Sequence, residues 1–225
     1  MMRIDILTAV PDVFDGPLNS SILKRAQNKK KVEIFVHNIR DYAFNKHKQI
    51  DDKPFGGGAG MILKPEPFFE CIELLKSERK YEHIIFTTPK GKIFNQKAAN
   101  KLSLQKNIMF IAGHYKDIDD RVREKFATDE ISIGNFVLTG GELPSLVIVD
   151  AVVRLIPGVL NDSESALKDS FQDGDIIEAP SFTRPAEYRG MKVPEVLLSG
   201  NEKQINDWKE HQSKLLTEKW KNFNN

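Results

Sequence analysis

Residues 131–144 of this 225-residue chain read Ile-Ser-Ile-Gly-Asn-Phe-Val-Leu-Thr-Gly-Gly-Glu-Leu-Pro, and they lead into a nearly all-apolar segment that runs to Ile156. An apolar run turns into a glycine pair and out again into a second, longer apolar run. Two adjacent glycines let a ligand approach the main chain with no Cβ in the way. Pro144 suits the first turn of a helix, where its missing N–H costs nothing. The stretch therefore reads as a backbone-lined ligand notch at a helix start. The β-branched side chains of residues 142–156 favour a strand, but their length and the Pro144 start predict a helix. A helix apolar on every side is buried, and in a chain of this size a subunit interface is the expected place.

The remainder alternates between strand and helix patterns. Strands are predicted over 3–10, 32–38, 83–88, 108–112 and 131–133. Helices are predicted over 20–28, 65–76, 95–104, 118–126 and 202–220, the last capped by Asn201. Residues 42–60 form a long polar, glycine-rich loop, and loops of that length are usually functional or disordered. Strands alternating with helices give an α/β fold with a parallel sheet. Gly91, Gly113 and Gly134 each follow a predicted strand. In open α/β sheets the ligand crevice lies at the carboxyl ends of the strands, so three such loops make one pocket from distant sequence.

Charge narrows the partners only slightly. The net charge is +1, yet residues 20–53 hold nine Lys/Arg against four Asp/Glu, a basic patch that could follow a phosphate backbone or simply be a solvated face. The single cysteine, Cys71, sits in an apolar stretch and reads as core filler. The N-terminus alternates like a strand and has no signal-peptide core, and no run approaches a membrane span. A cytoplasmic protein is expected. Gly56-Gly57-Gly58-Ala59-Gly60 lacks the Gly-Lys-Ser/Thr of a P-loop and the spacing of a dinucleotide fingerprint. The five histidines show no metal-ligand spacing. Two polar residues near the apolar helix have open readings. Asp169 is a surface carboxylate or a base. Arg154 is an ion-pair partner of Asp150, four residues earlier, or a charge placed for chemistry.

The order of motifs decides between these. Asp51-Asp52-Lys53-Pro54-Phe55-Gly56-Gly57-Gly58-Ala59-Gly60-Met61 is followed by Pro89-x-Gly91, Gly113-His114-Tyr115 and Ser132 through Pro144. Arg154-x-Ile156-Pro157-Gly158, Asp169-Ser170-Phe171, Thr183-Arg184-Pro185 and Val193 through Asn201 complete the series. Along nearly its whole length the chain resembles the bacterial tRNA (guanine-N1)-methyltransferases of the SPOUT class.

That resemblance implies a parallel sheet with a deep C-terminal trefoil knot and a homodimer whose active site lies at the subunit interface. It implies a methyltransferase domain over 1–160, a linker over 161–179 and a small helical tRNA-binding domain over 180–225. S-adenosylmethionine is expected among Thr88, Pro89, Gly91, Gly113, Tyr115, Ser132, Ile133, Gly134, Asn135, Phe136, Val137, Leu138, Gly140, Gly141 and Pro144. Asp51, Gly57, Gly58, Gly60, Met61, Ser165 and Ser170 match positions near the target guanine, which lies immediately 3′ of the anticodon. Asp169 matches the general base and Arg154 the group that stabilises charge on guanine O6. Mg²⁺ is an expected support without a dedicated protein site. The commoner Gly-Arg-Tyr-Glu-Gly of the family is Gly113-His114-Tyr115-Lys116-Asp117 here, and Asn135-Phe136 replaces Asp-Tyr.

Overall fold

A computed structural model describes residues 1–160 and 169–224, which divide into two compact units, Met1–Asn161 and Asp162–Asn225. The first is a mixed α/β unit built on five parallel strands. These are β1 (Met2–Thr8), β2 (Val32–Asn38), β5 (His83–Ile93), β6 (Asn107–Ala112) and β8 (Asp129–Ser132), in the order β2-β1-β6-β5-β8. A second sheet joins the two-residue strands β3 (Asp51–Asp52), β4 (Ile62–Leu63) and β7 (Asp117–Ile118).

The alternation of side chains along each strand sorts the core into two layers. Ile4, Ile6, Ile85, Ile108 and Phe110 face one layer, which is closed by α1 (Asp15–Leu18), α2 (Ser21–Asn28), α4 (Gln96–Ser103) and α6 (Glu142–Val153). Leu7, Ile84, Phe86, Met109 and Ile111 face the other, beneath α3 (Pro65–Glu78) and α5 (Asp120–Phe126). Cys71 is fully buried in that second layer, and burial pushes its thiol up to about 12. A thiol held protonated is a poor nucleophile, so Cys71 acts as packing.

One polar cluster interrupts the second layer. Asp5 is fully buried on β1 and accepts hydrogen bonds from Arg3 Nε (2.8 Å) and Nη2 (2.9 Å) and from Tyr81 Oη (2.7 Å), with His37 Nε2 at 2.7 Å. Burial alone would raise its pKa, but these hydrogen bonds hold it down at about 2.

Besides shifts of two or three residues at the ends of β1, β8 and α6, three details differ from the sequence reading. The strand expected to stop at Thr88 runs on to Ile93, its pairing with β8 breaking after Thr87 and resuming at Lys92. Both Thr87 and Lys92 pair with Ile131, so Thr88–Gly91 bulge out of the sheet. The bulge closes because a Cβ on Gly91 would lie 2.5 Å from the backbone of Glu130 and Ile131. The helix expected from Ile118 starts at Asp120, because Ile118 joins the small sheet and Asp119 caps the helix by accepting the Arg121 N–H at 3.1 Å. The long loop of residues 42–60 contains β3, and its glycines Gly56, Gly57, Gly58 and Gly60 all take positive φ, which glycine tolerates most readily.

The second unit contains a short hairpin, β9 (Glu187–Tyr188) with β10 (Met191–Lys192), a turn of helix α7 (Glu195–Leu198) and a long helix α8 (Glu202–Asn224). The Asn201 side chain accepts the Gln204 N–H at 3.2 Å, the expected cap of α8. No helix among the described residues is long and apolar enough to cross a membrane.

Candidate active site

The expected meeting of loops occurs at the carboxyl ends of β5, β6 and β8. The Thr88–Gly91 bulge, the turn Gly113–Lys116 and the segment 133–141 enclose a cavity of about 340 Å³. Its wall includes Thr88, Pro89, Gly113, Tyr115, Ser132, Ile133, Gly134, Phe136, Val137, Leu138, Gly140, Gly141 and Pro144. Of the residues expected there, Gly91 and Asn135 do not line it. Gly91 lines a second cavity, with Phe94 and Leu102, on the side of α4. Lys90, His114 and Thr139, inside the loops expected to meet there, also line it, and sequence reasoning missed Phe86, Thr87, Lys116, Asp117 and Ile131, which complete the wall. The only available signal was their adjacency to the residues that were found.

The glycine pair lines the cavity, but its lack of side chains serves a different purpose from the one expected. A Cβ on Gly140 would meet the Glu142 carboxylate, His114 Nδ1 at 2.7 Å and the Gly113 carbonyl at 2.9 Å. One on Gly141 would meet the Thr87 hydroxyl and the Gly113 nitrogen, the latter at 2.9 Å. The space beside both glycines is occupied by the chain's own atoms. The pair lets the segment before α6 press against β5 and the β6 turn, and the Gly141 N–H donates to the Gly113 carbonyl at 2.6 Å. Thr87 locks the junction, its hydroxyl lying 3.2 Å from the Ile111 carbonyl and 3.3 Å from that of Gly141. The Ser132 hydroxyl accepts the Gly134 N–H at 3.2 Å and donates to the Gly134 carbonyl at 2.9 Å, which fixes the turn leaving β8.

The rim carries charge and aromatic surface. Lys90 Nζ stands 4.0 Å from Asp117, and Arg40 donates to the Tyr115 hydroxyl at 3.1 Å. The glycine-rich loop reaches the rim through Lys116. Its N–H donates to the Met61 carbonyl at 3.1 Å, and its side chain lies where a Cβ on Gly58 or Gly60 would stand at 3.2 and 3.3 Å. Asp51, Gly57, Gly58, Gly60 and Met61 are thus carried toward the cavity by the small sheet and by the lysine that departs from the commoner motif. Phe55, in the same loop, is fully exposed.

Arg154 caps the end of α6, its N–H donating to the Asp150 carbonyl at 3.1 Å. Asp169 and Ser170 belong to the second unit. Asp169 lines an open cavity of about 1080 Å³ that also includes Phe182, Arg184 and Lys209. The Ser170 hydroxyl accepts the Glu178 N–H at 2.9 Å. Ser165 lies outside the described residues. Among the described residues no three His, Cys, Asp or Glu side chains gather as a metal site would require.

Parallel strands whose carboxyl ends hold a pocket in the size range of small-ligand sites define an α/β protein with a ligand cavity built from loops. The family model described as tRNA (Guanine-1)-methyltransferase TrmD matches residues 2–222, and the chain belongs to that family. A protein of Bacteroides thetaiotaomicron is 55% identical over 218 residues, covering 97% of this chain and 96% of that protein. Proteins of Chlorobium chlorochromatii and Flavobacterium johnsoniae are each 54% identical, over 208 and 209 residues, covering 92% and 93% of this chain and 90% and 92% of theirs. All three carry the name tRNA (guanine-N(1)-)-methyltransferase.

Proposed function

We propose that this protein methylates N1 of the guanine immediately 3′ of the anticodon in tRNA, with S-adenosylmethionine as methyl donor. The observation that carries the reading is the cavity at the ends of β5, β6 and β8, in a chain of this family. Its residues suit an amphipathic nucleoside. Pro89, Ile133, Leu138 and Pro144 offer apolar faces, while Thr88, Thr139 and the main chain at Gly140–Gly141 offer polar atoms. When bound there, S-adenosylmethionine supplies a methyl group on a positively charged sulfur.

The chain's own residues handle the guanine. N1 bears a proton, so its lone pair becomes available only when that proton leaves. Asp169 is the general base that takes it. As N1 loses its proton, negative charge grows on the neighbouring O6, and the Arg154 guanidinium stabilises it. The base leaves its stack to be reached. The Asp51–Met61 loop and Ser165 and Ser170 border it, and Mg²⁺ supports the reaction without a dedicated site.

In this reading residues 1–160 form the methyltransferase domain, 161–179 the linker and 180–225 a small helical domain that grips the tRNA. The loops around the cavity form a deep trefoil knot. Its support is the path of residues 133–142, which leave β8 at the sheet edge, pass Thr87 of β5 and Gly113 beyond β6, and reach Thr8 of β1 through Glu142. A homodimer with the site at its interface is supported by the exposed apolar side chains of α6, Leu143 and Val147, each half exposed, and of the segment leading into it, where Val137 is 83% exposed.

The test is transfer from labelled S-adenosylmethionine to two tRNA transcripts differing only in guanine or adenine 3′ of the anticodon. Transfer to the guanine transcript alone is expected, from a species about twice the 25.6 kDa chain mass. Transfer to the adenine transcript overturns the assignment.

A further inference from the structure

We infer that Glu142 is a positioning residue of the proposed cofactor cavity, tying the start of α6 to β1 and to the turn after β6 so that the Gly140–Gly141 wall keeps its shape. This rests on the cofactor reading above.

Glu142 is buried at 4% exposure although it is a carboxylate, and burying a charge is costly unless polar groups meet it. Two residues from distant parts of the chain meet it here. The Thr8 hydroxyl, at the end of β1, donates to Oε1 at 2.8 Å. The same hydroxyl accepts the Val10 N–H at 3.0 Å through a lone pair, which leaves its one proton for Glu142. The His114 ring, in the cavity wall, stands with Nδ1 3.4 Å from Oε2. Glu142 is the first residue of α6, where the helix N-terminus favours negative charge.

The carboxylate also explains the glycine two residues before it. It fills the volume that a side chain at 140 would take, and His114 closes the same space. Glu142 therefore contacts β1, the β6 turn and the backbone of the cavity wall at once, while Glu142 itself is not part of that wall. Removing its acceptors strands the buried Thr8 hydroxyl and releases the tie that holds residue 142 against β1 beside Gly140. The wall then loses its ligand-ready shape, while the guanine-handling residues Asp169 and Arg154 are untouched.

The measurement is calorimetric titration with S-adenosylhomocysteine, beside steady-state kinetics and melting curves. Glu142→Leu, close in volume but without acceptors, should weaken binding about tenfold, the size expected for one orphaned buried hydroxyl. The KM for the cofactor should rise while kcat at saturation stays within about twofold. Glu142→Gln should restore most of the affinity, because its amide carbonyl can still accept from Thr8. Thr8→Val should weaken binding in the same direction, and combining it with Glu142→Leu should add little, since both remove one contact. A folded Glu142→Leu with wild-type affinity overturns the inference, as does strict additivity with Thr8→Val. Should Glu142→Leu not fold, Thr8→Val alone decides by the same affinity criterion. If the wild-type protein does not bind S-adenosylhomocysteine, the cofactor reading itself fails, an outcome distinct from binding that ignores residue 142.

Discussion

The two units are held together in different ways. The first closes a core in which Ile4, Phe14, Phe68 and Phe110 are essentially inaccessible to solvent. In the second, no described residue is buried, and Ile176, Phe182 and Leu198 keep about half their surface in solvent. Its order rests on polar ties to α8. Ser213 donates to the Ile177 carbonyl at 2.5 Å, and the Ile177 N–H donates to Thr217 at 2.9 Å. Two ring contacts add to these, Phe171 with Trp220 at 5.2 Å and Phe182 with Trp208 at 6.3 Å. A unit this small buries too little apolar surface to be strongly stable alone. The first unit can therefore fix a cavity from its own chain. The second leaves apolar side chains in solvent, which in the proposed function tRNA or a partner subunit covers.

This division predicts that losing the general base, carried by the second unit, leaves cofactor binding by the first unit intact. Asp169→Asn should lower single-turnover methyl transfer about a thousandfold, within the range of a lost general base. Affinity for S-adenosylhomocysteine should stay within about twofold, because the cavity is built wholly from the first unit. A parallel loss of cofactor binding would break the separation. Next in size is a core truncation. Phe110→Ala should cost about 3–5 kcal/mol in denaturant unfolding followed by far-UV circular dichroism, the usual penalty for emptying a packed aromatic site. A cost below about 1 kcal/mol would mean that the first unit's core is no tighter than the second unit's.

Legibility from sequence follows the same line. The strand over 32–38 and the helix starting at Pro65 are where their patterns predict them, because local propensity and burial agree there. The small sheet was missed because Asp51–Asp52 and Asp117–Ile118 are two-residue strands with no periodicity to read. The cavity was legible as a cluster of glycine-bearing loops. The reason for the glycines was not, because Thr87 and His114 approach them only in three dimensions and nothing local shows that the Glu142 carboxylate turns back onto Gly140. Asp5 gave no sequence signal beyond an odd polar residue in an apolar strand. Apart from Arg3 on the same strand, its partners come from β2 and from the turn before β5, which no local pattern joins.

That buried carboxylate gives a smaller effect confined to the first unit. Asp5 titrates near 2, below its ordinary value of 3.8, so its contribution is fully present above the unfolded value and disappears as the pH falls through the folded one. The stability difference between wild type and Asp5→Asn should therefore shrink by about 2 kcal/mol between pH 5 and pH 2. A difference that holds constant across that range would mean that Arg3, His37 and Tyr81 do not favour the ionised form.

The smallest expected effect tests the comparison most directly, because both tryptophans, Trp208 and Trp220, lie in the second unit. Tryptophan fluorescence therefore reports that unit alone, whereas the larger part of the far-UV circular dichroism comes from the helices and sheet of the first, with α8 supplying most of the rest. Without tRNA, the fluorescence transition should fall at lower denaturant than the dichroism transition, as required when two units unfold separately. Ile176→Ala should move only the fluorescence midpoint, by less than about 1 kcal/mol, since a half-exposed side chain loses little burial. Added tRNA should draw the fluorescence transition upward by mass action while leaving unligated first-unit variants in the same relative order. Coincident transitions in the absence of tRNA would mean that the two units share one cooperative core, and the contrast between a self-sufficient and a dependent unit would fall.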